Sequence, residues 1–103
     1  MRLIYIPDKE IEKVKNQISA HEKIHVVMIS SEYGKYKKGD FVKTTWGEKL
    51  VITDVKQPKS YEDFEKESVH YPEFKGENFE DLKLVYTHKK VEIVELRNYR
   101  EKN

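Results

Sequence analysis

One run constrains this chain more than any other. Ile24-His25-Val26-Val27-Met28-Ile29 is apolar on both of its alternating faces. Such a strand needs cover on two sides, so it reads as a strand between packed layers or as a stave of a small barrel. The rest of the chain must supply that cover.

Ahead of the run, Arg2 to Ile6 is β-branched and aromatic enough for a short strand, which Pro7 ends by withdrawing a ladder donor. Asp8 reads as an N-cap. Ile11, Val14 and Ile18 then fall at i, i+3 and i+7 among charged residues, which predicts an amphipathic helix from Lys9 to Ala20. Behind the run, Ser30 to Lys38 reads as a loop that reaches the turn Lys37-Lys38-Gly39-Asp40. Phe41 to Trp46 and Lys49 to Lys56 are β-prone and separated by Gly47-Glu48, the spacing of a hairpin. Ser60-Tyr61-Glu62-Asp63 matches a capping pattern and predicts a short helix to Glu67, with Tyr61 and Phe64 as its core contacts. Residues 70 to 81 read as irregular, with a helical turn near Asn78 to Leu82. Leu82 to Tyr86 and Val91 to Leu96 read as a closing strand pair.

Strand runs this close together leave no room for regular βαβ crossovers. The order therefore predicts an α+β fold around a small, mostly antiparallel β-barrel with a leading helix and a short second helix. At 103 residues it reads as one domain, residues 1 to 103, with a core from about 2 to 97 and a frayed tail from 98 to 103.

Composition narrows function. Charged residues (38%) match hydrophobic ones (37%), but seven Tyr, four Phe and one Trp exclude a disordered composition. The absence of Cys excludes disulfides, thiolate metal sites and a cysteine nucleophile, so a cytoplasmic location is expected. Val26 to Ile29 is far short of a membrane span, and the N-terminus lacks a signal-peptide stretch. Two Gln beside abundant Lys, Glu, Ile and Val resemble a thermophile's composition. The net charge of +1 excludes a uniformly basic surface, but charge is uneven along the chain. Residues 1 to 56 carry 11 Lys and Arg against 8 Asp and Glu, residues 57 to 82 carry 3 against 8, and residues 83 to 103 carry 6 against 3. If the outer segments pair in space, one face becomes basic while the acidic segment 62–81 lies elsewhere, open to a protein partner.

Against that frame the chain resembles the ASCH domains, relatives of the PUA-like RNA-binding barrels. The resemblance covers about residues 9 to 97. It rests on the helix Ile11 to Ala20, then His21-Glu22-Lys23-Ile24-His25-Val26-Val27-Met28, Tyr36-Lys37-Lys38-Gly39-Asp40-Phe41-Val42, Leu50-Val51-Ile52-Thr53-Asp54-Val55, Ser60-Tyr61-Glu62-Asp63-Phe64 and the strand Val91 to Leu96. It implies a PUA-like barrel and binding of RNA or single-stranded nucleic acid in a cleft between the first helix and the barrel. In family members that hydrolyse acylated cytidine, a threonine stands where this chain has Val26 and an arginine where it has Met28, while Lys23 is retained. A methyl group cannot replace a hydroxyl nucleophile, so a non-catalytic module is expected. The alternative is a small hydrolase of modified nucleosides or a ribonuclease, with Lys23 and Glu67, Glu73 or Glu77 as its acid–base groups.

The residues themselves point the same way. Tyr33-Gly34-Lys35-Tyr36-Lys37-Lys38 alternates cations with aromatic rings, the pairing that holds phosphates and stacks unpaired bases, although a solvated loop whose tyrosines cover the barrel end has the same pattern. Trp46 beside a turn glycine is either a stacking platform or a core ring. Lys89, Lys90 and Arg97 extend a phosphate track or simply solvate strand ends. His21 and His25 are four apart, but in a strand that spacing spans ~13 Å, so neither a metal site nor any cofactor is expected.

Overall fold

The computed structural model describes residues 2–4, 6, 8–21, 23–29 and 34–99. It comprises β1 (Arg2–Leu3), α1 (Asp8–His21), β2 (Lys23–Ile29), β3 (Phe41–Lys43), β4 (Lys49–Lys56), α2 (Tyr61–Ser68), a 3-10 turn (Pro72–Phe74), α3 (Asp81–Val85) and β5 (Val91–Asn98). The strands form one sheet in the order β1-β3-β4-β5-β2, antiparallel except for the short parallel pair of β1 with β3. No helix among the described residues is long and apolar enough to cross a membrane.

The two-faced apolar strand is covered on both sides. Ile24 and Met28 of β2 join Val14 and Ile18 of α1, and Leu50, Ile52, Val94 and Leu96 complete that core. On the other side Val27, Val91 and Ile93 pack under Phe64 of α2, Leu82 of α3 and the rings of Tyr71, Phe74 and Phe79. Full burial of Phe64 contributes about 2–3 kcal/mol and pins α2 to the sheet. The Ser60 hydroxyl caps α2 by accepting the Asp63 N–H, as its sequence pattern implies.

Three expectations change. The described strands make an open sheet, not a closed barrel, because β1 has only two residues and β2 pairs only with β5, Glu73 occupying its outer edge at His25. Leu82 to Tyr86 is not a strand: α3 spans Asp81–Val85, and Leu82, Val85 and Tyr86 sit at helical spacing against the second core. The β3–β4 connection begins at Thr44 rather than after Trp46. Thr44 closes it by exchanging hydrogen bonds with Glu48 and Gly47, and Gly47 holds φ +93°.

Candidate nucleic-acid interface

Cross-strand register decides what each face of the sheet carries. The α2–α3 layer covers only the half of its face beside Val27, Val91 and Ile93. Its border is a polar array. His25 is 6% exposed, with Nδ1 2.5 Å from Glu73 Oε1 and Nε2 2.8 Å from Glu95 Oε2, and Tyr71 stacks on the imidazole at 3.9 Å. Glu73 Oε1 also accepts the His25 backbone N–H. Both ring nitrogens are thus engaged by carboxylates, one from the 3-10 turn and one from β5.

Neighbouring strands tighten the array. A bulge at Thr53 in β4 turns its hydroxyl onto Glu95 Oε1 at 2.7 Å, and Arg97 Nε approaches the same oxygen at 3.5 Å. Burial opposes ionisation of Glu95, but the hydrogen bonds from Thr53 and His25 and the nearby cationic groups outweigh it and hold the carboxyl below its ordinary range. Burial, together with the Glu67 carboxylate that accepts the phenol proton at 2.5 Å, drives the Tyr71 hydroxyl above its ordinary value. Glu73 and Glu95 lie on opposite edges of the ring, so the array does not converge on one metal position.

Beyond this border the same face lies outside the α2–α3 layer. Lys23, Arg97, Val51 and Phe41 form one row across β2, β5, β4 and β3. Lys43 and Lys49 pair in the next row, which Tyr99 extends by donating its N–H to Lys49 O. Phe41 is 43% exposed and Leu3, paired with Lys43, is 58% exposed. The Lys49 ammonium lies 4.3 Å from the Tyr99 ring centroid and 5.2 Å from that of Phe41. Four cations and two rings thus share the half-face that the α2–α3 layer, among the described residues, leaves uncovered.

The residues singled out in the sequence divide between several places. Lys23 and Arg97 stand side by side on the uncovered half-face. Tyr33 lies outside the described residues. Tyr36 is 4% exposed and inserts into the α1-side core, so its ring is unavailable for stacking. Lys35, Lys37 and Lys38 are exposed along the same segment, which is tied by Gly34 N–H to Glu92 and by Gly39 N–H to Ile52 O. Trp46 packs against the α1-side core, donates its indole N–H to Glu48 at 3.0 Å and lies beneath Lys15, so it is not a platform. Lys89 and Lys90 precede β5, at the end opposite Arg97.

A hollow of about 240 Å³ runs along the outer edge of β2 between α1 and residues 73–79. None of the described residues proposed to bind nucleic acid lines it. Its walls are apolar side chains such as Val14, Val26, Phe74 and Phe79, and Lys13 and Glu77 pair beside them. Sequence reasoning missed Phe41, Lys43, Lys49 and Tyr99; the alternation of Phe41 and Lys43 about the buried Val42 was the available local signal, and the rest depends on strand register. Compared with known protein families, curated proteins and solved structures, the chain has no match.

Proposed function

We propose that the chain is a non-catalytic ASCH-type module that binds RNA or another single-stranded nucleic acid on the uncovered half of its sheet. The observation that carries this reading is the Phe41–Lys49–Tyr99 cluster beside the Lys23–Arg97 row. Phosphates need cations and unpaired bases need exposed π surface. A flat sheet face presents both to a splayed strand, whereas duplex bases remain stacked away from it. Net charge near zero fits because the acidic segment lies in the α2–α3 layer and leaves this half-face basic.

The hydrolytic alternative has less support. Glu67 is engaged by the Tyr71 hydroxyl, Glu73 by His25 and Glu77 by Lys13, and Val26 offers no nucleophile.

Fluorescence anisotropy with labelled single-stranded RNA and DNA across a salt series tests the proposal. Four phosphate contacts give a slope of log affinity against log salt of about −3, since single strands contribute about −0.7 per contact. The double variant Lys23→Gln/Arg97→Gln reduces that slope by about 1.4. No binding, or binding indifferent to salt, rejects the reading.

A further inference from the structure

Arg97 is steered by a carboxylate on its own strand. Its Nε lies 3.5 Å from Oε1 of Glu95, two residues back on the same face of β5, while the Arg97 side chain stays 49% exposed. Glu95 is itself held. Thr53 donates its hydroxyl to Oε1 at 2.7 Å, and Oε2 lies 2.8 Å from His25 Nε2. We infer that Glu95 positions Arg97 to read guanine, so that the sheet face prefers single strands bearing that base, a preference that rests on the nucleic-acid reading above.

A guanidinium is planar and carries its donors in a fixed fork. When Nε faces a carboxylate, the two terminal nitrogens remain at the far end of the plane, where they match a pair of adjacent acceptors. Guanine offers that pair as O6 and N7, whereas adenine sets an amino donor beside its N7. Uracil separates its two carbonyls by a donor. Cytosine has adjacent acceptors on its pairing edge but a smaller ring to stack. Tyr99 follows Arg97 by two residues, about 7 Å along an extended chain, so a strand with a base on that ring brings a base edge to the guanidinium.

Phosphate suits this fork less well. Glu95 and Arg97 together carry no net charge, so an anion drawn to the guanidinium is repelled by the carboxylate beside it, a cost that a neutral base edge does not meet. Lys23, Lys43 and Lys49 serve phosphates as point charges on the same face. Arg97 still lies within a screening length, about 8–10 Å, of flanking phosphates, so its charge adds to the salt dependence of binding. Glu95 is a positioning residue: a guanidinium already steered by a fixed carboxylate loses less freedom on meeting a base.

The test is fluorescence anisotropy of the full chain with a labelled uridine tract and with the same tract carrying a single central guanosine, 7-deazaguanosine, adenosine or cytidine. Wild type is expected to bind the guanosine strand about tenfold more tightly than the uridine tract, and 7-deazaguanosine, which lacks N7, loses most of that gain. Arg97→Lys keeps the charge, so affinity for the uridine tract and its salt slope stay while the guanosine preference largely disappears. Glu95→Gln lowers the preference in the same way without weakening the uridine tract, whereas a merely structural role would weaken every strand alike. Because Arg97→Lys leaves the contacts of His25 untouched, it carries the test if Glu95→Gln does not fold. A preference for adenosine or cytidine, or an undiminished guanosine preference in Arg97→Lys, overturns the inference. Salt-dependent binding without base preference overturns the inference alone, whereas no binding of any strand removes the nucleic-acid reading as well.

Discussion

Phe41 and Tyr99 meet edge to face, their ring centroids 5.1 Å apart and their planes at 87°. They come from β3 and from the residue just beyond β5, and β4 brings Lys49 between them. The ring pair itself adds modestly to stability, about 0.5–1.5 kcal/mol, and leaves Phe41 partly exposed. Its larger effect is expected on binding. Phe41→Ala or Tyr99→Ala weakens single-strand affinity about tenfold or more, from stacking worth ~1–3 kcal/mol per base, while the urea midpoint moves little. Anisotropy and urea unfolding on the same variants check both halves.

A buried ring held between two carboxylates makes the opposite trade. His25→Ala removes the ring that lies within hydrogen-bond distance of both Glu73 and Glu95, at a cost of about 3 kcal/mol or more. Glu73→Gln added to His25→Ala removes one uncompensated charge and recovers part of that loss. Urea denaturation of the two single variants and the double variant completes the cycle. Additive losses would show that the array does not act as a unit.

Glu95 makes stability depend on acid pH. Its carboxyl is held below the ordinary range in the folded chain, so the unfolded chain binds the proton more tightly. The contribution is therefore complete above about pH 4.3, the ordinary carboxyl value, and is lost as pH falls through the lower folded value. The gap between wild type and Glu95→Gln in urea midpoint narrows over that range. At the alkaline end the raised Tyr71 hydroxyl has the opposite sense: stability declines once pH exceeds about 10, and Tyr71→Phe lacks that decline.

Gly47 isolates a backbone effect. Its φ of +93° is strained for any L residue, yet a Cβ there meets no atom within 4 Å. Gly47→Ala is expected to cost about 1–2 kcal/mol through conformation alone, with no change in the packing of Trp46. Thermal unfolding and Trp46 fluorescence together measure it.

Much of the fold was legible in short-range pattern. The capped start of α2, the i, i+3, i+7 face of α1 and the two-faced apolar β2 each follow from residues close in sequence. α3 was hidden because Leu82, Leu84 and Val85 serve a strand or a helix equally well over five residues. Tyr36 was misleading for a related reason: lysines on either side mark an exposed segment, yet the ring turns inward. The candidate interface was only half legible. Lys23 and Arg97 stand out singly, but their adjacency, and the meeting of Phe41, Lys49 and Tyr99, depend on register between distant strands. It depends equally on where the α2–α3 layer stops, which no local pattern encodes.

The most direct measurement is an NMR titration of the full chain with a short unstructured RNA, mapping which backbone amides respond. The account predicts the largest saturable shifts at residues 23, 41, 43, 49, 51, 97 and 99. Shifts confined to α1 and the β2 cleft, or none at all, would contradict it.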